Sequence, residues 1–514
     1  MSKGLPPLIR AVKVLSSLTM ASRVLGLARD QAIVFSLGAG TLSDAFFVAF
    51  GIPNLLRRLF GEGALNAATV PVISAKLEGE DVKGAWELVN RLFNLLALTL
   101  AAAVAMGIAL APYLIRLMAW GFAARPDQFA AAVRLLRIMF PYGLLVCLAA
   151  LEMGALNSFG HFSSPAAAPI ALNVCMISSA LIAFKLLDLP PSAGVNWIAY
   201  GVVAGGIMQV AIQMPAMAGR GWRYRPLIRP TEDVRKVAFL MIPAAFGQAI
   251  TQINLMVDRL LASLLPEGSI TYLYCANRLV QLPLGVFGIA ISTAALPALS
   301  RLAVKMDFDG MKRTLIRALR LAYFICAPAA VGLIVLRRPI VALLFQHGDF
   351  SEADTIGTAW ALLFYSLGLF SYSAVKIVSQ GFYSMRDTKT PVIVGCGAMI
   401  ANIALNVLLM RTFLKHGGLA LATALSSTLN LLALLALLRR RIGPLGMGEL
   451  LRSALRSTGA AILMGAICHL IDRRLSAAHP GLIVGVALPA GVVSYALLSL
   501  AFKSPEVREV LGTR

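Results

Sequence analysis

Residues 22–30 (SRVLGLARD) and 54–64 (NLLRRLFGEGA) place Arg23, Arg29, Arg57 and Arg58 inside stretches otherwise apolar enough to cross a membrane. A cation at the centre of a spanning helix costs about 2.5–3.5 kcal/mol on insertion scales, so such residues face a bundle interior or a watery cavity where an anion can pair with them. Arginine's planar fork suits phosphate and carboxylate oxygens, often two at a time. The chemistry these residues point to is capture of a large anion rather than the breaking of a bond.

The elements that must position them are helices. At about 100° per residue, Ser16, Arg23 and Asp30 form one heptad stripe on a first span, 11–36, with Thr19, Gly26, Ser22 and Arg29 beside it. The resulting polar arc suits a helix lining an aqueous cavity. Arg29 lies near the outer end of the span, where snorkelling to the interface is the competing reading. In a second span, 41–75, Asp44 and Arg58 return to nearly the same face while Arg57 points elsewhere, which predicts different jobs for the two arginines. Gly61-Glu62-Gly63 supplies a flexible break just beyond them. Glu62 reads either as a counter-ion to one arginine or as an interfacial charge.

The later half offers Arg278, in TYLYCANRLVQLP, with Tyr274 one turn before it and Asn277 and Gln281 sharing a neighbouring face. Asp258, Arg259 and Lys376 are further charges expected to be buried, the first two reading also as a structural pair. Five buried arginines against few buried acids leave the first half with surplus positive charge.

Composition agrees with a membrane setting, since 59% of residues are hydrophobic, 14% are charged and the mean hydropathy is +0.80. Runs of about 20 apolar residues, the length that crosses a hydrocarbon core as helix, predict fourteen transmembrane helices in an all-α polytopic membrane protein. Barrel strands would be about half as long and would alternate. The net charge of +22 raises nucleic acid as a partner, but with the N-terminus inside, 25 Lys and Arg fall on the inner side against 9 on the outer. That asymmetry is what the positive-inside rule requires. It predicts cytoplasmic termini and no nucleic-acid partner. All six cysteines fall inside predicted spans, and no metal site is expected.

Ordered landmarks recur at one offset: LNSFGHFSSP (156–165) matches FYSMRDTKTP (382–391), and PVIS (71–74) matches PALS (297–300), both 226 residues apart. The expected organisation is two six-helix lobes in parallel repeat, 1–218 and 234–441, joined by a basic cytoplasmic linker, 219–233. Residues 442–514 add a C-terminal two-helix hairpin and a tail.

The run from Ser16 to Ala75, SSLTMASRVLGLARDQAIVFSLGAGTLSDAFFVAFGIPNLLRRLFGEGALNAATVPVISA, resembles the MviN/MurJ family of lipid II flippases. The similarity continues through CANRLVQLPLGVFGIAISTAALPALS, VALLFQHGDF and KIVSQGFYSMRDTKTPV, covering essentially the whole chain. The resemblance implies membership of the multidrug/oligosaccharidyl-lipid/polysaccharide exporter superfamily. It further implies transfer of lipid II, the undecaprenyl-diphosphate-linked disaccharide pentapeptide, from the inner to the outer leaflet of the bacterial cytoplasmic membrane by alternating access. No cofactor is implied; coupling to membrane potential or to a monovalent cation gradient would drive the cycle. Membrane lipids and other cell-wall synthesis proteins are the remaining expected partners. By family motif the transport residues are Arg23, Arg29, Asp44, Arg57, Arg58 and Arg278, with Asp30 and Glu62 in support; the residues themselves add Asn277, Gln281 and Lys376 as supporting groups. Some members carry acids where this chain has Asn277 and Gln281, which leaves Arg278 less neutralised here.

An exporter of another polyprenyl-diphosphate-linked glycan, or of drugs, would share this architecture. A cationic-drug exporter predicts acids dominating the cavity. A membrane glycosyltransferase or phosphatase would need clustered acids or a His/Asp arrangement on a loop, whereas His161, His347, His416, His469 and His479 are scattered. A non-transporting scaffold has no need of arginines within its spans.

Overall fold

A hydrated backbone group has no partner inside a bilayer, so a chain of this composition satisfies its own amides as helix. The computed structural model describes residues 5–58 and 64–511, and within them every regular element is helical. In order these are α1 (Leu5–Leu37), α2 (Thr41–Leu56), α3 (Leu65–Glu78), α4 (Val82–Ala109), α5 (Ala111–Met118), α6 (Pro126–Met139), α7 (Pro141–Ser158), α8 (Ser163–Leu181), α9 (Pro191–Ala211), α10 (Met214–Ala218) and α11 (Glu232–Ser263). There follow α12 (Ser269–Pro283), α13 (Ile289–Val304), α14 (Phe308–Val335), α15 (Arg337–Phe345), α16 (Glu352–Leu367), α17 (Leu369–Ser384), α18 (Lys389–Leu409), α19 (His416–Ile442), α20 (Met447–Arg474), α21 (Pro480–Ala501) and α22 (Pro505–Leu511).

Eleven helical stretches among the described residues are long and apolar enough to cross a membrane. The chain is a multi-pass membrane protein. The other three expected spans fall on α1, on α2 with α3, and on α11. The glycine–glutamate–glycine break and Glu62 lie outside the described residues.

Contacts divide the chain into two compact units, Met1–Ile270 and Thr271–Arg514. The offset of 226 recurs in helix ends: α4 and α14 keep it at both termini, and α7 and α17 keep it where they stop. Their caps repeat as well. Asp81 accepts from the Gly84 N–H at 2.8 Å at the start of α4, and Asp307 accepts from the Gly310 N–H at 2.8 Å at the start of α14. Each carboxylate satisfies one of the orphan donors that a helix N-terminus leaves exposed.

In the first unit α1 packs on α8, α8 on α9, and α7 on α3, α4 and α9. The α8–α9 seam is close because α9 carries glycine where the helices touch. A Cβ at Gly205 would lie 2.9 Å from Leu172 Cα, and one at Gly201 would lie 2.0 Å from Ser179 Oγ. Small residues one turn apart are how helices approach in lipid, where no hydrophobic force draws them together. Leu172 is thereby fixed, and with it Asn173, the next residue on α8. A second core forms where α3, α4 and α7 meet the segment after α10, with Trp86 stacked on Phe159 at 4.2 Å between ring centroids.

In the second unit α13, α14, α17 and α19 share one apolar core, including Leu299, Leu315, Val378, Phe382 and Leu434. The turn from α17 to α18 is pinned by Asp387, which accepts from the Thr390 N–H (3.0 Å) and hydroxyl (2.6 Å) and pairs with Arg441 at 2.5 Å. The Thr390 hydroxyl, helped by Thr390's amide and by Arg441, holds the Asp387 carboxyl below its ordinary range. A depressed carboxylate contributes stability above its unfolded value, about pH 4, and loses it as pH falls through the depressed one. Asp387→Asn is expected to remove that acid limb from a thermal-stability profile of the purified protein. The rest of the profile should keep its shape.

Candidate functional site

The sequence places Arg29 and Asp30 side by side, and neighbours on a helix ordinarily diverge. Here the guanidinium curls back. Arg29 Nε and Nη2 donate to Asp30 Oδ1 at 3.0 and 2.6 Å, and Arg29 Nη1 donates to Asn173 Oδ1 on α8 at 3.1 Å. Asn173 Nδ2 in turn donates to the Ser22 carbonyl at 3.1 Å, and the guanidinium lies 5.9 Å from the Phe50 ring. Arg29 is 7% exposed and Asp30 1%, so Arg29 does not snorkel. The Ser22–Arg29 side of the polar arc packs on α8 instead of lining a water-filled space, because Asn173 supplies both an acceptor and a donor there. Asn173 was not among the expected site residues; its signal was an amide in an otherwise apolar helix. Arg23, nearly two turns earlier, is exposed.

Asp44 stands in the first turn of α2, where a carboxylate complements the helix dipole. It is 2% exposed, and its Oδ2 accepts from the Gly268 N–H at 2.8 Å. The neighbouring Thr41 hydroxyl donates to Glu267 Oε2 at 2.6 Å, and Arg125 Nη2 donates to the Leu265 carbonyl at 2.7 Å. Asp44 therefore belongs to a latch that fastens residues 265–268 to the start of α2.

At the other end of α2, Pro53 lies inside the helix and removes a backbone donor. The chain widens into π-helical turns at residues 57–58, a local expansion that recurs at functional sites. Arg57 Nε donates to Asn54 Oδ1 at 2.7 Å. Arg58 lines a narrow, partly open cleft with Gly51, Asn54, Leu55, Gln252, Leu255, Met256 and Arg259. Asn54 links the two arginines to one place: it borders the cleft on which Arg58 opens and accepts from Arg57. Gly51 makes room for Arg259, whose Nη1 would stand 1.8 Å from any Cβ added there.

In the second unit Arg278 is half-buried on α12, and beside it Gln281 Nε2 donates to Asn277 Oδ1. That bond ties the two amides to each other along their shared face. Lys376, expected to be buried, is exposed. It points away from the face of α17 that carries Ala374, Ile377, Val378 and Phe382 into the core. The expectation of five buried arginines needs the same correction: Arg29 is buried, Arg57, Arg58 and Arg278 are half-buried, and Arg23 is exposed. Asp258 and Arg259 are half-buried as well. Long side chains on amphipathic helices keep their charged ends where water or a ligand can reach them.

The family model described as "Lipid II flippase MurJ" matches residues 33–485. A MurJ-family protein of Vibrio cholerae serotype O1 is 37% identical over 478 residues, spanning 90% of this chain and 89% of that one. A lipid II flippase MurJ of Burkholderia cenocepacia is 34% identical over 471 residues, spanning 90% of each chain. Among solved structures, lipid II flippase MurJ in an inward closed conformation superposes with a TM-score of 0.79 at 26% identity, covering 97% of this chain and 99% of that one. An inward-facing multidrug resistance transporter of the MATE family, within the MOP superfamily, shares the fold with a TM-score of 0.69 at 16% identity, covering 85% and 98%.

Proposed function

Because the chain belongs to the lipid II flippase MurJ family, we propose that the arginines of its first unit hold the diphosphate of lipid II while the lipid crosses the bilayer. The protein is a flippase and not an enzyme, since the substrate changes leaflet with every covalent bond intact. The observation that carries the site assignment is the cleft between α2 and α11, where Arg58 and Arg259 stand with the amides of Asn54 and Gln252. Two guanidinium groups and two carboxamides are a donor set matched to phosphate oxygens. A cationic-drug exporter would need acids in that place.

The finer reading is supported by the same features. Eleven spans together with α1, α2 with α3, and α11 make fourteen. The repeated helix ends favour two six-helix lobes, 1–218 and 234–441, followed by a hairpin. The excess of Lys and Arg on one side favours cytoplasmic termini in a bacterial inner membrane. In this reading the lobes alternate in access, the diphosphate is carried by the arginines, and the prenyl chain stays in lipid. Charge moved in such a cycle couples to voltage at about 2.3 kcal/mol per elementary charge per 100 mV, so a membrane potential or a monovalent cation gradient can drive it.

Depletion of the protein is expected to accumulate lipid II in the inner leaflet and to deplete it from the outer leaflet, read by labelling lipid II at the cell surface. Unchanged surface labelling would overturn the proposal.

A further inference from the structure

One buried acid plays no part in the site above. Glu152, on α7, is 0% exposed, and among the described residues neither of its carboxyl oxygens has a hydrogen-bond donor. An ionised carboxylate in that state costs many kcal/mol, and proteins escape the cost by keeping the group protonated or by giving it a cation. The position is ordinarily apolar by the chain's own measure. The residue at the repeat offset of 226 is Val378, buried in the core of the second unit.

The donor that reaches α7 one turn before Glu152 is already engaged by backbone carbonyls. Gln213, at the break between α9 and α10, donates its amide to the Ala149 carbonyl at 3.0 Å, one turn before Glu152 on α7, and to the Gln209 carbonyl at 3.1 Å. Both bonds come from the same nitrogen, so its two protons are spent. Among the described residues, the amide oxygens of Gln209 and Gln213 are buried and without donors, as are the carboxyl oxygens of Glu152.

Among the described residues, no charged side chain on the packed helices answers Glu152. The helices α8, α9 and α10 carry no Asp, Glu, Lys, Arg or His. On α2, Asp44 is taken by the Gly268 N–H; on α3, Lys76 pairs with Asp233 at 2.9 Å and Glu78 is exposed. On α4, Lys83 is exposed, Glu87 pairs with Arg225 and Arg91 donates to the Arg229 carbonyl. On α6, Asp127 is exposed, Arg134 donates to the Ser192 carbonyl and Arg137 to that of Ile108. Beyond the end of α7, His161 bonds Arg220.

We infer that Glu152 is a proton-binding site in the core of the first unit, and that its proton holds α7 packed against the α9–α10 break. The proton comes from water and returns to water, and no other bond changes. With the proton on, the carboxylic acid is neutral, and the Gln213 amide keeps both its bonds to the Ala149 and Gln209 carbonyls. With the proton off, the carboxylate competes for the two protons of Gln213, and the bonds to Ala149 and Gln209 that close the helix break are the ones it draws on. Exchange of this proton accompanies any movement of α9 and α10 away from α7.

The test uses the full-length protein in lipid and infrared difference spectra between wild type and Glu152→Gln, which is neutral and nearly isosteric. The expected result is a carboxylic-acid carbonyl band at neutral pH, shifted in heavy water, present in wild type and missing from the variant. No such band, or a band that survives the substitution, overturns the inference. A band abolished by sodium at constant pH overturns it too, by assigning the site to a metal cation. In proteoliposomes, the pH dependence of lipid II flipping is expected to flatten in E152Q, and an unaltered profile would separate the proton from transport. The infrared readout does not depend on lipid II, so its failure is distinguishable from failure of the flippase reading.

Discussion

Arg23→Ala and Arg278→Ala should each abolish the ability of the protein to sustain growth in cells depleted of the native copy, while the protein still inserts. Arg23 is exposed on α1 and Arg278 half-buried on α12, so neither truncation empties a core. What is lost is a fixed cation. One charge-assisted hydrogen bond contributes about 1.5–3 kcal/mol net, which corresponds to roughly ten- to a hundred-fold in transport rate if the bond is made during transfer. Lysine at either position should recover part of the loss, since it restores charge without the planar fork. The measurement is surface-labelled lipid II alongside membrane abundance. Normal labelling by both alanine variants would reassign these arginines to structure.

Asp30→Ala should do something different, lowering stability before it touches transport. Asp30 is the acceptor for two nitrogens of a guanidinium that is itself buried. Removing one partner of a buried pair leaves an uncompensated charge and costs about 3–5 kcal/mol, whereas replacing both partners with apolar residues is often nearly neutral. The double variant Arg29→Met with Asp30→Leu is therefore expected to melt closer to wild type than Asp30→Ala does, read by thermal unfolding in detergent. Strictly additive losses would mean that the pair is not coupled. Asn173→Ala should fall between, because it removes one neutral acceptor from Arg29 and the bond to the Ser22 carbonyl.

Much of this was legible in the chain. Helix is the only answer to runs this long and apolar, and the repeat offset read from PVIS and PALS is the offset at which α4 and α14 begin and end. Which residues carry charge into the spans was equally plain. How those charges are satisfied was not, for physical reasons. A wheel assigns directions to Cβ atoms, and arginine is long enough to ignore them: Arg29 reaches its own neighbour. Asn173 is 144 residues away, so its role depends on the glycine seam that brings α8 against α9, and no local pattern encodes that. Lys376 looked buried because its segment is apolar, yet it occupies the one side of α17 that the core leaves uncovered. Glu152 is visible in the sequence as an acid in a spanning run, but what distinguishes it from an ordinary interfacial acid is its lack of donors among the described residues, which depends on packing between helices distant in sequence.

The approach of Arg259 to Gly51 bears on recombination. A side chain at position 51 would take the volume that guanidinium fills, and Arg259, flexible to its tip, would have to swing aside, so the two positions are linked although 208 residues separate them. A chimera that takes α2 from a relative with a larger residue at that place, and keeps α11 from this chain, inherits a displaced guanidinium. One that exchanges both helices together inherits a cleft.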